Sequence, residues 1–160
     1  RVSVAAQRGH WTVVTFLYSR CPDVCPLVAA NLDRATLTAA GRAAGLTVLV
    51  VSVDPEHDTP AVLRRYVAQR RFTSSFHFLT GTRAELRRAW SAYHVAVRPG
   101  PRGTVTHSTF AILIDPQGAE RVLYGSTVGF RDLAADLVHV NRTSTDGMDV
   151  LATWIAGVRL

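Results

Sequence analysis

Apolar residues run almost unbroken through Trp11 to Leu17 (WTVVTFL) and Leu46 to Val53 (LTVLVVSV), two segments of strand length rich in β-branched side chains. Runs of this kind predict strands covered on both faces, and so a parallel or mixed sheet inside the molecule. Between them the period changes. Val24, Val28, Leu32 and Ala35 recur every three or four residues, while Asn31, Asp33 and Arg34 fall largely on other faces. This predicts an amphipathic helix, opened by Pro22 in its first position and closed by Gly41. Downstream, Thr59-Pro60 pairs an N-cap with a first-turn proline ahead of a helix over Ala61 to Arg70. Phe76 to Leu79 reads as a short strand, and Thr82 with Glu85 has capping-box spacing before a helix reaching Tyr93.

Arg98 to Gly103 (RPGPRG) is too rich in proline and glycine to suggest regular structure. Ser108 to Ile114 and Glu120 to Tyr124 flank the turn Asp115-Pro116-Gln117-Gly118 and predict a hairpin. A helix over Arg131 to Val140 follows, with a second over Met148 to Val158. The order is strand, helix, strand, helix, strand, helix, hairpin, helix. It predicts an α/β fold in one domain over residues 1–160, a central mixed sheet flanked by helices, without internal repeats. Chemistry is then expected at the carboxyl ends of the first strands.

Composition sharpens this picture only modestly. With 160 residues, 48% of them hydrophobic and 19% charged, the chain can bury a real core. The net charge of +6 comes from arginine, since all 18 basic residues are arginine and none is lysine. These arginines are scattered, as in Arg64-Arg65, Arg70-Arg71 and Arg87-Arg88, with no aromatic-interleaved stripe or nucleic-acid motif. They read as solvated helix faces, with a weaker case for docking on an acidic protein or an anionic membrane surface. No apolar run approaches the roughly 20 residues needed to span a bilayer.

The two cysteines change the picture most. Cys21 and Cys25 sit four apart where the first strand gives way to the helical pattern. On a helix that spacing stacks the residues about 6 Å apart at Cα, close enough for a disulfide or a shared metal. A helix mouth would also favour thiolate over thiol. Of the six histidines, His10, His77 and His139 read as solvated or packed, and His94 as a helix-end cation. His107 differs, because it lies where the Pro/Gly-rich loop becomes a strand, able to swing towards the cysteines. Two thiolates and an imidazole suit Cu(I), and with a further ligand Cu(II), better than structural zinc, which wants four closed ligands, although catalytic zinc with an open position uses the same trio.

Taken together, Thr15 to Pro26 (TFLYSRCPDVCP), Val51 to Pro60 (VSVDPEHDTP) and the stretch from His107 to Pro116 resemble the signatures of the Sco/SenC family. The resemblance implies a thioredoxin-like fold and a copper-binding metallochaperone that serves the binuclear copper centre of cytochrome c oxidase subunit II. It implies copper ligation by Cys21, Cys25 and His107, with Asp54 close by in a supporting or partner-facing role. It further implies a copper acceptor protein, a copper-donor chaperone upstream, no nucleic acid, and an extracytoplasmic domain on the periplasmic side, tethered by an N-terminal membrane helix outside this sequence. A thiol-disulfide oxidoreductase acting through Cys21 and Cys25 on the acceptor's cysteines is the alternative. The spacer is three residues rather than the two of general thioredoxins. A peroxidase of the peroxiredoxin type fits poorly, because Tyr18 stands where that chemistry places a threonine or serine.

Overall fold

The computed structural model describes residues 4–143. After a short 3-10 turn at Val4–Gln7, the chain builds a five-stranded sheet of order β3-β2-β1-β6-β7. Its strands are β1 (Thr12–Leu17), β2 (Thr47–Ser52), β3 (Phe76–Leu79), β6 (Phe110–Ile114) and β7 (Glu120–Gly125). β1 runs parallel to β2 and β2 to β3, whereas β6 is antiparallel to both β1 and β7. All six residues of β1 are buried, as befits the middle strand. Its polar Thr15 is accommodated by donating its hydroxyl to the Phe110 carbonyl at 2.7 Å.

Among the described residues five helices flank the sheet: α1 (Cys25–Thr36), α2 (Ala39–Ala43), α3 (Pro60–Arg70), α4 (Arg83–Ala92) and α5 (Phe130–Thr143). The caps of α3 and α4 follow the sequence. Thr59 accepts the Val62 N–H, and Thr82 and Glu85 close a reciprocal capping box. α1, α2 and α5 pack on one another, while α4 lies on β2 through Leu86, Ala89 and Trp90. The Trp90 indole donates to the Ser52 carbonyl at 3.0 Å. The mixed α/β architecture expected from the pattern is therefore present. The helix expected over Met148 to Val158 lies outside the described residues.

Three local expectations are corrected. The first helix begins at Cys25, with Pro26 in its first turn, and not at Pro22. A proline deeper than the first turn would lose a helical bond and clash with the preceding turn, so of two prolines four apart the later one sets the start. That helix also stops at Thr36 rather than at Gly41. Thr38 donates to the Ala35 carbonyl and caps the separate α2 by accepting the Gly41 N–H. Gly41 lies inside α2, where a Cβ would stand 2.1 Å from the Ala35 oxygen. Glycine is needed there for close approach.

The third correction concerns Arg98 to Gly103. This segment belongs to a small second sheet, β4 (Val97–Pro99) paired antiparallel with β5 (Val105–His107). Pro99 is tolerated on a two-stranded edge. Arg102 and Gly103 make the turn with φ of 53° and 74°. The strand expected from Ser108 is correspondingly broken, with β6 opening at Phe110. Ser108 exchanges bonds with Ala96 instead, donating its N–H to the carbonyl and accepting the Ala96 N–H on its hydroxyl.

Candidate metal centre

The carboxyl ends of β1 and β2 and the β4–β5 hairpin meet at the start of α1. Cys25, in the first turn of α1, is buried, and Cys21, in the preceding turn, is half-buried. Both are free thiols. The Cys25 sulfur lies 3.9 Å from Nε2 of His107, the last residue of β5. Eighty-two positions of sequence separate them. Nδ1 of His107 donates to the Ser108 carbonyl at 2.9 Å, and because a carbonyl can only accept, this bond fixes the tautomer. Burial pushes the imidazole below its usual value, so the ring is neutral and Nε2 turns its lone pair to the sulfur.

The thiol side is not what a helix mouth alone suggests. Burial, reinforced by hydrogen bonding and charge from the adjacent Cys21, pushes the Cys25 thiol well up. The expectation of a thiolate stabilised by the helix end is thus overturned for Cys25, because desolvation and a second sulfur outweigh the dipole. Cys25 holds its proton as a thiol, and a soft cation binding between sulfur and imidazole must displace it. Among the described residues no group of three or more His, Cys, Asp or Glu side chains is already close-set enough to hold an ion. Two candidate ligands, Cys25 and His107, face each other. Cys21 lies within hydrogen-bonding reach of Cys25 and on the outer, more accessible side.

Asp54 is buried and does not stand among the sulfurs. It accepts from the Arg20 guanidinium at 3.3 Å and from His57 Nδ1 at 2.8 Å, and its own N–H donates to Ser52 Oγ at 3.0 Å. Its link to the cysteine loop therefore runs through Arg20, the neighbour of Cys21.

Residues that sequence reasoning did not assign complete the surroundings. Asp58, fully buried, accepts from the Ser19 N–H at 3.2 Å, the Ser19 hydroxyl at 2.5 Å and the Ser52 hydroxyl at 2.6 Å. It pins the loop two residues before Cys21. The Tyr18 and His107 rings meet in a T-shaped contact, with centroids 5.8 Å apart, and the Tyr18 hydroxyl accepts the Val105 N–H at 3.4 Å. The available signals were the four-residue spacing of Asp54 and Asp58 and a tyrosine closing an otherwise apolar strand. A separate cleft of about 780 Å³, between α3 and β3 and lined by Leu63, Phe72 and Phe78, includes none of these residues.

A family model described as SCO1/SenC matches residues 1–142. The chain belongs to the SCO1/SenC family. It is 32% identical over 141 residues to the human mitochondrial protein SCO1 homolog, covering 81% of this chain and 44% of that protein. The chain thus spans less than half the length of that curated relative. Among solved SCO1/SenC structures, Arabidopsis thaliana ScoI with copper bound superposes with a TM-score of 0.76 at 26% identity, over 89% of this chain and 90% of that one. Bradyrhizobium japonicum ScoI, also with copper bound, gives 0.71 at 30% identity, over 86% and 89%. Those neighbours establish the thioredoxin-like fold.

Proposed function

We propose that this chain is a copper metallochaperone that holds one copper ion between Cys21, Cys25 and His107 and passes it to the binuclear copper site of cytochrome c oxidase subunit II. The observation that carries the reading is the 3.9 Å approach of Cys25 Sγ to His107 Nε2, with the far side of the ring already committed to Ser108. The donor set suits the cargo. Two thiols and a neutral imidazole match the softness and low coordination number of Cu(I), and copper is bound in the solved ScoI relatives. Loading exchanges the two thiol protons for one cation, so two protons leave per ion taken up. A centre with three protein ligands leaves room for a thiolate of the acceptor to join before His107 departs with its hairpin.

Residues 1–160 act as one domain on the extracytoplasmic side of a membrane, tethered by an N-terminal helix, receiving copper from a donor chaperone. The test is Cu(I) titration against a chromophoric chelator. One ion per chain is expected, with affinity sharply reduced in Cys21→Ala, Cys25→Ala and His107→Ala. His107→Ala binding as tightly as the parent would overturn the ligand assignment.

A second reading is favoured by the contact between two free thiols. The pair could reduce an acceptor disulfide: one sulfur attacks it, the second resolves the mixed disulfide, and two electrons and two protons pass to the acceptor as Cys21 and Cys25 become a disulfide. Equal reduction of an oxidised acceptor by the wild type and His107→Ala would favour this redox role.

A further inference from the structure

We propose that Arg20 is a positioning residue that latches the β4–β5 hairpin over the cysteine loop and so sets how long bound copper is retained; the retention half rests on the ligand assignment above. The hairpin that ends in His107 is not part of the five-stranded sheet. Its two strands have three residues each, too few to hold a position by their own pairing. Its place must come from contacts made outside it. The two bonds that Ser108 and Ala96 exchange at its base only tie its own two legs together. Midway, the Val105 N–H donates to the Tyr18 hydroxyl at 3.4 Å. At its tip, Arg20 Nη2 donates to the Gly103 carbonyl at 3.5 Å and, through the same nitrogen, reaches Asp54 Oδ2 at 3.3 Å.

Arg20 therefore joins three parts of the molecule that carry the three sequence signatures. It is the residue before Cys21, it is held by the carboxylate of the β2–α3 turn, and it grips the hairpin bearing His107. The two ends of this bridge differ in firmness. Asp54 is buried and fixed by Ser52 and His57, whereas the Arg20 side chain is 48% exposed. An anchored carboxylate with a half-solvated guanidinium is suited to opening and closing, since water or an acceptor's carboxylate can replace Gly103 without unfolding anything. When the bridge opens, the hairpin keeps its base but loses its tip, the long Val105–Tyr18 bond is exposed to breaking, and His107 can withdraw from Cys25.

The test combines amide hydrogen exchange in the metal-free protein with Cu(I) transfer to bathocuproine disulfonate from the loaded protein. Arg20→Ala is expected to speed exchange at Val105 by about three- to tenfold, the range for one partly exposed ion pair plus a hydrogen bond. Val14, in the central strand, keeps wild-type exchange and reports that the fold is intact. His57→Ala, which removes a partner of the same carboxylate that does not bond to the hairpin, is expected to leave Val105 unchanged. Copper transfer should quicken in Arg20→Ala by a similar factor, and Asp54→Asn should add little once Arg20 is gone. Unchanged Val105 exchange in Arg20→Ala, or equal acceleration in His57→Ala, would overturn the latch. Faster exchange with unchanged copper transfer would overturn its role in retention. Failure of the wild type to hold Cu(I) at all would overturn the copper reading itself, while the exchange measurements still decide the latch.

Discussion

Asp58→Ala is the substitution from which the loop before Cys21 should suffer most. The carboxylate has no exposure to solvent and accepts three distinct donors, the Ser19 N–H, the Ser19 hydroxyl and the Ser52 hydroxyl. Removing it strands one backbone donor and leaves two hydroxyls to find other partners. Each buried unsatisfied donor costs about 1–3 kcal/mol, and the hydroxyls can partly compensate by turning to other acceptors. Part of the loss is offset, because burial itself opposes the carboxylate and raises its pKa. A net destabilisation of about 3 kcal/mol follows, equivalent to about 6–12 °C in Tm for a domain of this size. Ser19 lies two positions before Cys21, so alkylation of that half-buried thiol by iodoacetamide should also accelerate, while Cys25 stays protected.

The pH dependence has a definite sign. Asp58 holds its proton more tightly folded than unfolded, so wild-type stability falls as pH rises from the ordinary carboxylate value of about 3.9 through the raised folded value. Asp58→Asn should lose that slope, and the gap between wild type and variant should be widest at the acid end. Urea unfolding across this range, with alkylation read by mass spectrometry, checks both statements. An Asp58→Ala protein with wild-type midpoint and wild-type Cys21 alkylation would refute the argument that this carboxylate braces the loop.

Further outcomes follow from single contacts. Gly41→Ala places a Cβ where the Ala35 carbonyl stands at 2.1 Å, so α2 must shift from the end of α1; urea unfolding should show a loss of about 1–3 kcal/mol, and an unchanged midpoint would contradict the close approach. Thr82→Ala removes half of the capping box on α4 and should cost about 1 kcal/mol by the same assay. Burial lowers the pKa of His77 on edge strand β3, so its contribution to stability is present above the unfolded imidazole value of about 6.5 and is lost as pH falls below it. His77→Gln should flatten that part of the profile, and an unaltered acid limb would exclude His77 as its source.

The elements that could be read in the sequence are those whose causes are local. The two continuous apolar strands, the Thr59-Pro60 and Thr82/Glu85 helix starts and the Asp115–Gly118 turn carry their own instructions within a few residues. The start of α1 misled because Pro22 and Pro26 both suit a first turn, and only the steric demand of the later one decides. The β4–β5 pair was hidden because Val97 and His107 meet in space while the residues between them look like loop. Cys21, Cys25 and His107 were visible as chemistry, but the state of the Cys25 thiol was not, since it depends on burial that spacing does not reveal. The braces around them were harder still. Arg20 meets Asp54 across 34 positions and Tyr18 meets Val105 across 87, and no local pattern encodes such pairs.

Copper K-edge absorption on protein loaded with one equivalent of Cu(I) reads the metal's ligands themselves. A site of Cys21, Cys25 and His107 gives a coordination shell of two sulfurs and one imidazole nitrogen, with the nitrogen and its outer-ring scattering lost in His107→Ala and one sulfur lost in Cys21→Ala. A shell of sulfur alone, unchanged when His107 is replaced, would contradict it.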